Sequence, residues 1–468
     1  MIKYTLFKHQ QDAIDFAIEK NGCMALLHSC GTGKTITALN IYQLLKLKEP
    51  NLKLLVVCPK SIIRPAWIED THKFTDFTIS TLKEEKNTDI IIVNFEYLIG
   101  KNGTAQVNKL LSAGTYMCVI DESQKLKNSS SMITKKMIAL RNKFKYRIIA
   151  SGTPTPNSLF EWWGQIAFIR PGILPDNFHQ FRNTYFHLEC FGRQVVTQGM
   201  HLTRQAMQNM FRRGAKYVIS ESKKVMLLNT IKPYCHYADK KDCLDLPDQI
   251  DTIREIELSA AEKSAYLAMK KHLLVELGSD IIVAKVAIAK LNKLHQITAG
   301  FAYDENHKPI SIGTSKLNEL EQVLENLGEQ QAIIFIEYLQ EINMILPMIT
   351  AKYGNESVVT LYSETEDKDD SIARFKSGKA KYLVANSKSA SHGITLTNCS
   401  TIIYYSISYS YELQEQGRNR IHRISQTKNC YYIYLIATIP GLTTIDEAIL
   451  KIIQRKIDLQ TAIREIIE

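Results

Sequence analysis

The chain has 468 residues, 45% hydrophobic and 23% charged, with a formal net charge of +10. That is the composition of a globular protein with room for about three domains of ~150 residues, and it excludes a wholly disordered or collagen-like chain. No uninterrupted apolar run of ~18 residues occurs, so a membrane protein is not expected.

The opening Met1-Ile2-Lys3-Tyr4-Thr5 lacks the basic and apolar regions of a secretory leader. Nine cysteines are scattered without a C-x-x-C pair, which argues against a disulfide framework or zinc ribbon and for buried thiols in a reducing cytoplasm. The basic excess permits nucleic acid as a partner without establishing it.

Five short β-branched runs come first along the chain: 24–27, 54–57, 90–93, 117–120 and 147–150. Each is followed at once by polar, Gly or Pro residues, and longer helical patterns separate them. This alternation predicts a parallel sheet covered on both faces, with the chemistry just beyond the strands' carboxyl ends. The region from about 155 to 245 is rich in aromatic and basic residues, as in Phe178-His179-Gln180-Phe181-Arg182 and Phe211-Arg212-Arg213, and reads as a mostly helical insertion. Within it, Trp162-Trp163 and Tyr185-Phe186 are expected in the core rather than stacked on bases. A second strand series follows at 333–336, 358–361, 382–384, 402–404 and 432–435. The fold class is therefore α/β with two lobes, expected over 1–305 and 306–468.

His28-Ser29-Cys30-Gly31-Thr32-Gly33-Lys34-Thr35 follows a predicted strand and precedes a helical stretch, the context a phosphate-binding loop requires. Gly31 and Gly33 would let backbone N–H groups close on phosphate oxygens at the helix N-terminus. Lys34 would reach the β- and γ-phosphates, and the Thr35 hydroxyl would hold Mg²⁺. His28 stands where the full G-x-x-x-x-G-K-[ST] pattern has glycine.

Asp121 and Glu122 end an apolar strand, where two adjacent carboxylates repel unless something offsets their charge. A magnesium nucleotide does so: Asp121 would hold the metal and Glu122 would orient or deprotonate the attacking water. Ser151-Gly152-Thr153-Pro154 closes another strand with hydroxyls in reach of such a site. Arg420 and Arg423, three residues apart, would share one face of a helix and suit an arginine finger supplied in cis.

Taken in order, these segments resemble the motifs of the Swi/Snf-type ATPases, the double-stranded DNA translocases of helicase superfamily two. Leu6-Phe7-Lys8-His9-Gln10 is similar to the Q motif, in which the glutamine reads adenine. Gly31 to Thr35 is similar to motif I, and Val57-Cys58-Pro59-Lys60-Ser61 with Trp67 to motif Ia. Asp121 to Asn128 resembles the acidic box, with Gln124 where the family usually has histidine but in reach of Ser151. Ser151 to Asn157 resembles motif III. Leu246-Pro247, Leu291-Asn292-Lys293-Leu294-His295-Gln296 and Ser315-Lys316-Leu317 resemble further landmarks of this family, and Ala332 to Phe335 its motif IV. Ser387 to Thr397 is similar to motif V and Gln416 to Gln426 to motif VI. Cys235-His236-Tyr237 stands where the family has a basic step, and Glu337 is unusual at its position.

The resemblance implies two RecA-like lobes and a DNA-dependent ATPase that translocates on duplex DNA, with ATP and Mg²⁺ as cofactors. The expected nucleotide contacts are Gln10, Ser29, Cys30, Gly31, Thr32, Gly33, Lys34, Thr35 and Gly393. Thr35 and Asp121 would hold the metal, and Lys34, Glu122, Arg420 and Arg423 would carry catalysis. Phosphate contacts without base reading call for hydroxyls, amides and lysines at strand ends opposite the nucleotide. The candidates are Lys60, Ser61, Asn94 and Lys127 in the first lobe and Tyr338, Ser387 and Lys388 in the second. Because the motifs run nearly end to end, a minimal motor like the short phage and bacterial members is expected, monomeric and in the cytoplasm of a bacterial or phage-infected cell. The alternatives are a strand-separating RNA or single-stranded DNA helicase, and an ATP-gated DNA-binding switch that does not move.

Overall fold

In the computed structural model the apolar runs of the first half become β1 (Cys23–His28), β2 (Lys53–Cys58), β4 (Ile90–Asn94), β5 (Tyr116–Asp121) and β6 (Tyr146–Ala150), joined by a short β3 (Ile79–Thr81). The structure describes residues 5–84, 86–190, 193–194, 210, 215–277, 284–304, 306–390 and 394–467. The chain divides into two compact units, Met1–Cys243 with Leu459–Glu468 and Leu244–Asp458.

In the first unit the strands pair in parallel, in the order β10-β1-β6-β5-β2-β4-β3, where β10 is Cys235–Ala238. Alternation along each strand sorts side chains to two faces. Leu26, Val56, Val119 and Ile148 share one buried cluster with Ala38, Leu39 and Tyr42 of the helix Lys34–Lys48. Leu27, Val57, Cys118 and Ile120 share the other with Trp162, Ile166 and Phe168.

The insertion holds the helices Trp162–Ile169, Phe178–Tyr185 and Glu221–Ile231, as expected. It also holds a small sheet of β7 (His187–Cys190), β8 (Arg193–Gln194) and β9 (Lys216–Val218), and it returns β10 to the main sheet. Trp162, Trp163, Tyr185 and Phe186 are all buried, so they pack the core. Phe211, Arg212 and Arg213 lie outside the described residues.

The second unit's main sheet is also parallel. It is built from β11 (Gln249–Glu257), β14 (Ala332–Ile336), β15 (Val358–Leu361), β16 (Tyr382–Asn386), β17 (Thr401–Tyr404) and β18 (Cys430–Thr438), in the order β11-β18-β17-β14-β16-β15. A hairpin of β12 (Phe301–Tyr303) and β13 (Pro309–Ser311) lies apart from it. β11 joins the second unit's sheet by pairing with β18 along all nine residues, Gln249↔Cys430 to Glu257↔Thr438. Among the described residues, no helix is long and apolar enough to cross a membrane.

Candidate nucleotide site

The first unit's site grows from the carboxyl end of β1. Gly31 and Gly33 have φ of 87° and 85°, left-handed values that L side chains avoid, and Gly33 caps the helix Lys34–Lys48. A Cβ on Gly33 would lie 2.3 Å from Gln10 Nε2. The loop is therefore a glycine-dependent turn that delivers amides to a helix N-terminus, which fits a polyphosphate. Lys34 Nζ donates to the carbonyls of His28 (3.0 Å) and Ser29 (3.3 Å), folded back over its own loop. Ser29, Cys30, Gly31 and Thr35 are half-buried beside it, and Thr32 is buried.

Gln10, expected to read adenine, lies beneath the loop. It is 0% exposed. Its Oε1 accepts from Phe7 N at 3.0 Å, and its Nε2 donates to Thr32 O at 3.1 Å. His9 Nε2 reaches the same Thr32 carbonyl at 2.9 Å. The two side chains brace the phosphate loop from beneath.

Asp121 ends β5 almost wholly buried. Its Oδ2 accepts from Trp67 Nε1 at 3.0 Å and its Oδ1 from Glu122 N at 2.9 Å. Burial and the neighbouring Glu122 push its carboxyl up to about 6, against the pull of Lys34 and Trp67. Carboxylate and hydroxyl oxygens are the donor type that a hard cation such as Mg²⁺ takes, which fits the expectation that Asp121 and Thr35 would hold it. Trp67 was visible in sequence only as part of motif Ia. Its bond to Asp121 was not legible, because it joins residues 54 positions apart.

Glu122 adopts φ 55° and ψ 54°, a left-handed conformation rare for a non-glycine residue and often found at functional sites. Gln124 Nε2 donates to Glu122 Oε2 at 2.6 Å, and Ser151 Oγ donates to Gln124 Oε1 at 2.8 Å. Thr153 N completes the line by donating to Ser151 Oγ at 3.0 Å. The amide of Gln124 thus bridges the acidic end of β5 to the loop after β6, where the family's usual histidine would stand. A parallel tie, absent from the sequence reading, runs from Ser123 Oγ to Gln165 Oε1 (2.7 Å) and from Gln165 Nε2 to Pro154 O (2.7 Å). Gly152 lets this loop close on the phosphate loop, since a Cβ there would meet Cys30 N at 3.1 Å. A hydrogen bond to a charged group is worth roughly 1.5–3 kcal/mol. Gln124→Ala should therefore lower ATP turnover about 10- to 100-fold with little change in nucleotide affinity, as read by steady-state rates beside equilibrium nucleotide binding.

In the second unit the arginine pair does not ride a helix. The helix Tyr411–Arg418 ends at Asn419, whose Nδ2 folds back onto Glu415 O at 2.7 Å. Arg420 and Arg423 follow in successive turns. Arg420 is buried, with Nη1 3.3 Å from Ile394 O. Arg423 is half-buried, its Nε donating to Asn419 O (2.9 Å) and its Nη1 to Thr395 Oγ1 (2.7 Å). Arg418 is structural: it lies 3.7 Å over the Tyr432 ring and pairs with Asp251. Gly417 allows the helix to approach β14, because a Cβ would lie 2.8 Å from Phe335 Cε2. Gly393 lies outside the described residues.

The expected DNA contacts differ in kind. Lys60, Ser61, Asn94 and Lys127 follow β2, β4 and β5, which run parallel to β1. They therefore lie along the same carboxyl edge as the phosphate loop rather than on the opposite edge. Lys60 is exposed, Ser61 and Lys127 are half-buried, and Asn94 Nδ2 is engaged by Glu96 at 2.7 Å. Ser387 is buried after β16, and nothing is described of the Lys388 side chain.

Tyr338 hydrogen-bonds through its hydroxyl to His295 Nδ1 at 3.0 Å. This opens onto a buried network that explains two of the sequence landmarks. Lys316 Nζ pairs with Asp446 Oδ2 at 2.6 Å, Thr298 Oγ1 donates to Asp446 Oδ1 at 2.7 Å, and His295 Nε2 lies 3.8 Å from Asp446 Oδ1. Lys316 comes from the Ser-Lys-Leu landmark and His295 from Leu-Asn-Lys-Leu-His-Gln.

Two family models match the chain: an SNF2-related domain over residues 9–301 and a helicase conserved C-terminal domain over residues 315–425. The SWI/SNF-related matrix-associated actin-dependent regulator of chromatin subfamily A-like protein 1 of Xenopus laevis is 25% identical over 97% of this chain, which spans 43% of that protein. The uncharacterized ATP-dependent helicase YqhH of Bacillus subtilis is 23% identical over 97% of this chain and 79% of its own length. Putative protein p41 of the Acyrthosiphon pisum secondary endosymbiont phage 1 is 24% identical over 85% of this chain and 84% of its own. The solved Sulfolobus solfataricus SWI2/SNF2 ATPase core in complex with dsDNA is similar at 23% identity and a TM-score of 0.44, over 98% of this chain and 92% of that one. This chain spans less than half the length of the Xenopus relative. With the SNF2-related model matching well over half of its residues, the chain belongs to the SNF2-related domain family.

Proposed function

We propose that this chain is a DNA-dependent ATPase that uses ATP hydrolysis to move on double-stranded DNA. The observation that carries the reading is the line from Glu122 through Gln124 to Ser151, set beside the glycine-dependent loop bearing Lys34. A phosphate cradle alone would serve binding. A carboxylate held in a left-handed turn and hydrogen-bonded to a neighbouring loop serves hydrolysis and its coupling to movement.

In this mechanism Lys34 leaves the carbonyls of His28 and Ser29 and turns to the β- and γ-phosphates. Thr35 and Asp121 would hold Mg²⁺, which would supply positive charge to offset that of the phosphates. Glu122 orients the attacking water and accepts its proton. Arg420 and Arg423 are the proposed arginine fingers, a contribution worth ~10³ or more in rate when supplied in cis. Duplex DNA accelerates the cycle only to the extent that it binds the arginine-engaged state better than the disengaged one.

The test is ATP turnover with no nucleic acid, with single-stranded DNA and with duplex DNA. The reading expects strong stimulation by duplex, lost progressively as salt rises, because phosphate contacts release counterions. Stimulation by single strands alone would turn the assignment to a strand-separating helicase. DNA binding without stimulated turnover would turn it to a non-moving switch.

A further inference from the structure

Two departures from the family pattern, far apart in sequence, meet behind the phosphate loop. His28 stands where the full loop pattern has glycine, and His236 stands in place of a basic step. In the sheet, β10 pairs beside β1 with Leu26 opposite His236, so His28 and His236 point to one face. Their rings lie 5.1 Å apart, with His28 Nε2 2.9 Å from His236 Nδ1. His9 completes the cluster, its ring 5.6 Å from that of His28 and its Nε2 on the Thr32 carbonyl. The phosphate-loop lysine, Lys34, is held by the backbone carbonyl of His28 itself.

A hydrogen bond between two imidazoles needs one donor and one acceptor, so the pair can carry one proton or none beyond its neutral tautomers but not two, and burial favours the neutral state. His28 is 0% exposed, and its Nδ1 is buried with no hydrogen-bond partner among the described residues. Donation of Nε2–H to His236 leaves that nitrogen as a bare lone pair, able to take a proton. We propose that the His28–His236 pair, backed by His9, is a charge-compensating element of the phosphate loop that accepts one proton from solvent when a nucleoside polyphosphate occupies the loop.

The charges facing the pair support this. Burial, His236, Lys34 and His9 together hold the His28 imidazole well below its usual range. Burial likewise lowers His236, opposed by Asp12 and reinforced by His9. A polyphosphate brings negative charge to Lys34, which removes part of the repulsion that keeps the pair neutral. His28 and His236 are thus positioning residues for the site argued under the proposed function, on which this inference rests.

The experiment is titration of the intact protein with magnesium-bound AMP-PNP between pH 6 and 8, in buffers of different ionisation enthalpy, for wild type, His28→Gln and His236→Gln. Glutamine at 28 can keep a donor toward His236 but cannot take the proton. Asp121 titrates in the same range and is common to all three proteins, so the difference between them isolates the histidines. Wild type should take up more protons on binding than either variant, and its affinity should gain up to about tenfold per unit of acidification relative to them. Equal proton uptake and parallel pH profiles in all three, with binding retained, would overturn the proposal while leaving the nucleotide site intact. If wild type bound no nucleotide at any pH, the proposed function itself would fail. If one variant does not fold, as judged by thermal unfolding, the other carries the comparison.

Discussion

Lys34→Ala and Glu122→Gln should each reduce ATP turnover about 10²–10³-fold or more, the scale seen when one charge-stabilising group is removed from a reaction centre. The two losses have different origins. Lys34 donates to main-chain carbonyls of its own loop and is the expected phosphate contact, so its truncation should weaken nucleotide binding as well. Glu122→Gln keeps the size of the side chain and a partner for Gln124 but removes the basic oxygen, so nucleotide binding should persist while hydrolysis stops. Both variants should still bind duplex DNA in a mobility-shift assay, because the candidate phosphate contacts are residues other than Lys34 and Glu122. Retained turnover in both would remove the site from the first unit.

Asp446→Ala should destabilise the second unit by about 3–5 kcal/mol, the scale for stranding a buried charge by deleting its partner. Asp446, Lys316 and His295 are each about 1% exposed, so water cannot replace the lost carboxylate. Burial pushes the Asp446 carboxyl up, but Lys316 and His295 more than offset this and leave it below the usual range. Its stabilising contribution is therefore present above the unfolded carboxylate range near 4 and is lost only as pH falls through the lower folded value.

His295 behaves differently. Burial holds it down to about 4, with Asp446 opposing and Lys316 assisting. The unfolded chain binds that proton near pH 6.5 and the folded chain does not. Stability should accordingly fall by roughly 3 kcal/mol as pH drops from 6.5 to 4. Urea unfolding across that range should show the slope in wild type and a flatter profile in His295→Gln. A wild-type profile already flat over this window would contradict the buried neutral imidazole.

Much of this was legible from local pattern. Buried parallel strands read as continuous apolar runs, and all five runs in each half form strands of a main sheet. The phosphate loop and acidic box are contiguous segments whose chemistry is written in adjacent residues. The bridge from Gln124 to Ser151 could be anticipated because an amide offers a donor and an acceptor.

What was illegible depends on distant parts of the chain meeting. β11 carries Asp251, Thr252, Arg254 and Glu255 on an edge with mostly exposed side chains, so no hydrophobic period marks it. β10 exists because the insertion returns to β1, which no local signal records. The direction in which Gln10 spends its amide depends on where Thr32 lies. The arginine pair looked helical by spacing alone, yet Asn419 turns the chain between Arg418 and Arg420. The Ser-Lys-Leu and Leu-Asn-Lys-Leu-His-Gln landmarks were visible as patterns, and their physical content emerged only once Lys316 and His295 were found around Asp446.

Hydrolysis by this chain is expected to depend on the guanidinium of Arg423. The most direct test is Arg423→Ala, comparing kcat with duplex DNA present against equilibrium ATP affinity. The expected result is a fall in kcat of about 10³-fold with ATP affinity changed only a few-fold, because the arginine would act on charge that develops during phosphoryl transfer. Full turnover in that variant, or an affinity loss that accounts for the whole effect, would contradict it.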